Sequence, residues 1–387
     1  MRAGLTIFDA DRHVVEPLDM WPEYLEPRWR DGAPYLARPA GESLEMRVAR
    51  LGAHALVTAP PVLMLDDRPL WNRLSERAAI ELAMAVRERP GTLEAGMDPA
   101  GQLASMDECG IDRAWLFPTV ASNLAAIDGM HPDRAGAFAR AYNNWLRDYC
   151  AHDPARLRGV GLLARHDPRA MVAELVRVTD EFGWSAVVIR PEPVAGRNLS
   201  HEDYRPFFAA CEGRGVAIAF HGGAHAHLPT AGAERFASRF AQMVCAHPLE
   251  QMLALLTLIE GGVLERHPRL RVAFLEAGCS WVPAWLWRMD HMYQQFSGEL
   301  GERVPRPPSE YVRRQCFIGA EPDEPGLIAA IEWIGADRLV FGTDFPHHDH
   351  PLHILDTFFE RAPALPDNAL TQLLSGSAGA LYACESG

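Results

Sequence analysis

The chain has 387 residues, 48% of them hydrophobic and 23% charged, which excludes a disordered chain and is enough for a large buried core. Its formal net charge of −14, from 37 basic against 51 acidic residues, excludes a broad phosphate-binding surface, so nucleic acid is not an expected partner. No run approaches the 18 or so apolar residues of a membrane span. The opening MRAGLTIFDADRH carries acids and no apolar h-region, so no membrane is expected and the cytoplasm is the expected compartment. Seven cysteines are scattered without a CxxC and read as reduced thiols.

Short branched, apolar runs alternate with amphipathic stretches along the chain. The expected strands are Leu5–Ala10, Arg113–Pro118, Val160–Ala164, Ala186–Arg190, Val216–His221, Arg271–Glu276, Gln315–Gly319 and Arg338–Thr343. Between and after them, helical spacing predicts helices over Arg134–Cys150, Pro168–Phe182, Asp203–Arg214, Ala233–Glu260, Trp281–Phe296, Gly326–Ile334 and Ala369–Tyr382. Eight such units predict an α/β fold closed as a (β/α)8 TIM barrel in one domain spanning 1–387. An open doubly wound sheet would want GxGxxG after the first strand, and none is present. Residues 17–100 interrupt the alternation with prolines, tryptophans, strand-like pieces at Ser43–Leu51 and Ala55–Val57, and a helix at Arg73–Arg89. They are expected as a lid-like insertion over the barrel mouth.

Barrel enzymes place their chemistry at the C-terminal ends of the strands. Four of those ends carry carboxylates or imidazoles: Asp11 and His13 after the first strand, His221 at the fifth, Glu276 at the sixth and Asp344 after the eighth. A spacing of two puts Asp11 and His13 on one face of an extended segment. Oxygen and imidazole donors converging from distant strands point to a transition metal. Each has a plainer alternative: a strand-end histidine is often only hydrogen-bonded, and Asp344 could be a helix N-cap.

The stretches IFDADRHVVEP, AYNNWL, IRPEPVAGRNLSHEDYRPFFAACEGRGVAIAFH, FLEAGCSWVPAWLWRMD and LVFGTDFPHHD resemble the amidohydrolase superfamily, in the branch that includes amidohydrolase-type decarboxylases. The resemblance implies a metal site of Asp11 and His13 after strand one, His221 at strand five, Glu276 as the strand-six ligand and Asp344 after strand eight. Three departures stand out. Asp11 replaces the first histidine of the usual HxH, Glu276 replaces the usual strand-six histidine, and strand four ends in Arg190 with no lysine to carbamylate.

Histidines are also in surplus, with His225 and His227 after His221, and His347, His348 and His350 after Asp344. This surplus is similar to a group of TIM-barrel proteins that act as non-haem diiron monooxygenases. That resemblance implies two iron ions held by Asp11, His13, His221, His225, Glu276, Asp344 and His347, with Asp344, His221 and Glu276 catalytic. It further implies dioxygen, an electron donor and an apolar substrate carried on coenzyme A. The alternative is a hydrolase or decarboxylase with one zinc or manganese. A catalytically idle barrel is disfavoured by donor groups at all four strand ends.

Supporting roles are expected for other residues. Glu16 orients His13 or binds metal, and His227 and His348 support the ligands from behind. Arg190 anchors an anionic substrate group or pairs with Glu192. Glu321, after strand seven, relays a proton. Barrels of this type often pair through their outer helices, so a homodimer is an open expectation.

Overall fold

The computed structural model describes residues 4–37, 61–71, 83–86, 88–223, 227–347 and 354–384. Eight strands follow one another: β1 Phe8–His13, β2 Arg113–Phe117, β3 Leu157–Gly159 resuming after Val160 as Gly161–Leu162, β4 Ala186–Ile189, β5 Ala217–His221, β6 Val272–Leu275, β7 Cys316–Ala320 and β8 Leu339–Phe341. Each pairs in parallel with the next. The chain just beyond β8 then returns to β1. The Asp344 N–H donates to the Asp11 carbonyl at 2.9 Å, and the His13 N–H donates to the Phe345 carbonyl at 2.7 Å. The architecture is the expected (β/α)8 barrel.

Strands such as AVVI and VAFL are buried at every position, as a parallel sheet wrapped by helices requires. The surrounding helices open on residues suited to a helix N-terminus. Pro132–Cys150 and Pro168–Asp180 each open on a proline, which has no N–H to leave unsatisfied there. Asp167 caps the second by accepting the N–H groups of Arg169 and Ala170. The helix Arg239–Glu260 has the length and apolar composition of a membrane span. It packs Ala254, Leu255, Leu258 and Ile259 into the interior of the protein.

Several elements differ from expectation: the third strand, expected over Val160–Ala164, runs over Leu157–Gly159 and Gly161–Leu162, and the helix expected from Ala233 begins at Arg239. β1 runs three residues further than Leu5–Ala10, because its polar end Asp-Ala-Asp-Arg-His is buried among partners instead of facing water. The last helix is broken into Ala369–Thr371, a π-helical turn Gln372–Gly376 and Ser377–Leu381.

Between β1 and β2 lie the helix Met20–Tyr24, a small antiparallel sheet of Tyr35–Ala37, Val62–Leu65 and Arg68–Pro69, and the helices Thr92–Met97 and Pro99–Cys109. The pieces expected at Ser43–Leu51 and Ala55–Val57, and most of the Arg73–Arg89 helix, lie outside the described residues. The segment is tied to the barrel by an Arg134–Asp66 ion pair at 2.6 Å and by the Val15 N–H donating to the Gly96 carbonyl at 3.1 Å.

Candidate metal centre and active site

The geometry starts in β1. Its register against β2 slips between Asp9 and Arg12, so β1 carries one extra residue there. Such bulges re-aim side chains and are frequent beside active sites. Asp11 and His13 both reach His221, the last residue of β5: Asp11 Oδ1 lies 3.5 Å from His221 Nε2 and 3.7 Å from His13 Nε2. Asp344, three residues past β8, brings Oδ1 to 3.1 Å from His13 Nε2. Asp344 sits at φ +52 and Glu276 at +54. Left-handed backbone at a non-glycine residue costs on the order of 1–3 kcal/mol and persists where the surroundings over-determine it.

The two imidazoles show what the cluster needs. His13 Nδ1 lies 3.1 Å from the Pro118 carbonyl and His221 Nδ1 lies 3.0 Å from the Gly222 carbonyl. A carbonyl only accepts, so each ring carries its proton on Nδ1 and turns its Nε2 lone pair inward. The two Nε2 atoms face each other at 3.0 Å. Two lone pairs at that distance repel unless a cation lies between them or one takes a proton. Burial opposes a charge on His221, but the Glu276 and Asp11 carboxylates outweigh it and push its pKa up to about 10. Burial, with His347 nearby, lowers that of His13. The cluster therefore demands positive charge. Asp11 Oδ1 adds to this: it is buried and makes no hydrogen bond among the described residues. Two carboxylates and two imidazoles fit a divalent zinc or manganese.

The other expected site residues are distributed differently. Glu276 is on the far edge of His221: its Oε2 lies 3.3 Å from His221 Nδ1 and 3.3 Å from His247 Nδ1. Burial opposes its ionisation, but these two imidazoles hold its carboxyl well below the usual range. It thus backs a ring whose opposite edge faces Asp11 and His13. His347 places Nδ1 at 2.8 Å from Asp344 Oδ1 and Nε2 at 3.1 Å from Thr119 Oγ1. With His13 and Asp344 it forms a second group of potential ligands overlapping that of Asp11, His13 and His221. His227 Nε2 lies 2.8 Å from the Pro69 carbonyl, holding the insertion. His225 and His348 lie outside the described residues.

Arg190 is buried, and the structure gives it the Glu192 pairing, with nitrogen–oxygen distances of 3.1 and 2.5 Å. Its remaining bonds go to Asn123 Oδ1 and the Gly223 carbonyl. Glu16 accepts the N–H groups of Thr119, Val120 and Ala121, fixing the loop after β2. Glu321 follows β7, where its N–H donates to Glu324.

Several residues around the cluster escape a sequence reading. His247 lies inside a long helix, where nothing marks it. Asp9, Arg12, Thr343 and Gln102 form a buried network below the ligands. Thr343 Oγ1 donates to Asp9 Oδ2 at 2.5 Å, Arg12 pairs with Asp9 at 3.3 Å, and Gln102 Nε2 donates to the His13 carbonyl at 2.8 Å.

The amidohydrolase family pattern matches residues 9–383. The chain belongs to the amidohydrolase family. It is 27% identical over 215 residues to the 2-amino-3-carboxymuconate-6-semialdehyde decarboxylase of Dictyostelium discoideum. That match covers 56% of this chain and 58% of the Dictyostelium enzyme, so less than two thirds of that relative is spanned. The γ-resorcylate decarboxylase of Rhodococcus jostii is 27% identical over 266 residues, 63% of this chain and 76% of that one. Among solved structures, the 5-carboxyvanillate decarboxylase of Novosphingobium aromaticivorans, complexed with manganese and 4-hydroxy-3-methoxy-5-nitrobenzoic acid, superposes with a TM-score of 0.69 at 20% identity. It covers 99% of this chain and 97% of its own.

These findings overturn the diiron monooxygenase reading. The named relatives are decarboxylases, and the structural neighbour holds manganese. Two irons, dioxygen, an electron donor and coenzyme A lose their support with it. The physical reason lies in the surplus of donors. Counted along the chain they suggest two metals, but in space Glu276 backs His221, His347 engages Asp344 and Thr119, and His227 engages Pro69.

Proposed function

We propose that this amidohydrolase-family protein is a metal-dependent decarboxylase of a small aromatic carboxylate. One manganese or zinc would be held by Asp11, His13, His221 and Asp344. The observation that carries the reading is the pair of inward Nε2 atoms at 3.0 Å, flanked by two carboxylates, in a family whose named relatives lose carbon dioxide. When bound, the divalent cation supplies the positive charge that docks and polarises the substrate's oxygens.

The chain's own residues supply the rest. Decarboxylation breaks the bond between a ring carbon and the carboxylate carbon. Carbon dioxide leaves, the electron pair stays on the ring, and a proton must replace the lost group. Asp344 and His347, joined at 2.8 Å, are the groups placed to handle that proton. His347 is half-buried and also touches Thr119, so it links the buried carboxyl to the mouth. Glu276 and His247 hold the His221 ring from behind. The insertion between β1 and β2 is assigned the role of cover, keeping water from the ring carbon as the electron pair develops.

The test is turnover in D2O with manganese-loaded enzyme and ortho-hydroxylated benzoates. One solvent deuterium should appear at the vacated ring carbon, and Asp344→Asn should lose on the order of 10²-fold or more in kcat. Undiminished turnover in that variant would remove Asp344 from the proton's path. Intact carboxylates across the substrate panel would count against decarboxylation.

A further inference from the structure

A cavity of about 560 Å³ opens between the chain after β4, the chain after β5 and the helix Arg239–Glu260. Its walls are the loop after β4, with Pro191, Pro193 and Leu199, the loop 229–236, and the helix Arg239–Glu260, with Leu253 and Ala254. None of the four residues proposed to hold the metal lines it. The volume is in the range of small-molecule sites, and such sites combine apolar walls with a few placed polar groups.

The buried charged side chain on its walls is Glu250, 3% exposed. One of its oxygens, Oε1, accepts the Ala231 N–H. No hydrogen bond reaches the other oxygen among the described residues. The cation near it, Arg190, is spent on Glu192. Arg235 at the rim is mostly exposed and pairs with its neighbour Glu234 at 3.1 Å. A buried carboxyl group on a cavity wall, bonded at one oxygen to a backbone N–H and sharing its nearest cation with Glu192, has an oxygen left to accept a charge-assisted hydrogen bond, and an ammonium ion is the ligand that supplies one.

We infer that this cavity is a binding site for a small organic ammonium ion with an apolar body, held by the Glu250 carboxylate and distinct from the metal centre. Two further features fit. Burial and the neighbouring Glu192 push the Glu250 pKa up to about 7 against the pull of Arg190, so a bound cation would favour its charged form. The prolines on the wall keep its shape rigid before the ligand arrives, which limits the ordering that binding must impose.

The test is calorimetric titration of the full-length, manganese-loaded protein with 2-phenylethylamine and, separately, with 2-phenylethanol. The amine should bind saturably at about one site per chain, and the neutral alcohol at least about tenfold more weakly. Glu250→Gln should weaken amine binding by at least about tenfold. Binding should be unchanged when the metal is removed, which separates this site from the metal centre. Leu253→Trp, a change at a half-exposed wall position, should reduce binding by filling the cavity. If Glu250→Gln does not fold, the amine–alcohol comparison on the unaltered protein still decides. No saturable amine binding, equal affinity for the alcohol, or loss of binding with the metal would each overturn the inference.

Discussion

His13 and His221 carry the heaviest requirement at the level of single residues, because their Nε2 atoms meet at a point that only a cation or a proton can relieve. His13→Ala and His221→Ala should each lose most bound manganese while the barrel stays folded, as read by metal analysis beside circular dichroism. Full occupancy in either would take that residue out of the site. Glu276 differs in kind. It supports His221 from the Nδ1 edge, so Glu276→Gln should weaken metal binding by roughly 10–100-fold without abolishing it, as outer partners of metal-binding histidines do. Competition with a fluorescent chelator measures this.

Glu250 gives a pH signature. Its folded pKa of about 7 stands above the ordinary 4.5. The folded state therefore keeps a proton that the unfolded chain releases. The resulting stabilisation is fully present below pH 4.5 and is lost as pH rises through 7. Melting temperatures between pH 4 and 8 should show this decline in the unaltered protein and a flatter curve in Glu250→Gln. Parallel curves would contradict it.

Among the elements, the join between β1 and β8 decides the site, since Asp11, His13 and Asp344 all hang on it. Arg12 is fully buried, pairs with Asp9, donates to Gln102 Oε1 at 3.1 Å, and lies 4.0 Å over the Phe345 ring. Arg12→Met leaves Asp9 without its cation, so stability should fall by on the order of 3–5 kcal/mol, as breaking one side of a buried pair does. Urea unfolding measures this, and a change within about 0.5 kcal/mol, typical of a surface substitution, would show that the pair is dispensable.

This join also marks where the sequence was hard to read. Apolar strands such as Val272–Leu275 declare themselves because both faces are buried. The end of β1 is a run of charges, and local pattern cannot distinguish charges that face water from charges that meet partners 331 residues away, as Arg12 meets Thr343. The last helix reads as one stretch because its π-helical turn leaves the apolar spacing nearly intact.

In the whole molecule, the barrel explains why the strand-end residues were legible and their arrangement was not. Topology sends Asp11, His13, His221 and Asp344 to one mouth, so residue type and position were enough to nominate them. Which edge of each ring faces the centre is set by carbonyls at Pro118 and Gly222 and by a helix-borne His247, and none of these leaves a sequence mark. That missing information turned a surplus of histidines into an expectation of two metals.

One divalent cation at this mouth is proposed to drive loss of carbon dioxide. The direct measurement is carbon dioxide release by metal-reconstituted protein under strict anaerobic conditions, across a panel of hydroxylated benzoates, with metal content determined on the same sample. The expected result is one carbon dioxide per substrate consumed, full rates without oxygen or reductant, and about one manganese or zinc per chain. A requirement for oxygen and electrons, or turnover that leaves the substrate's carboxylate in place, would contradict it.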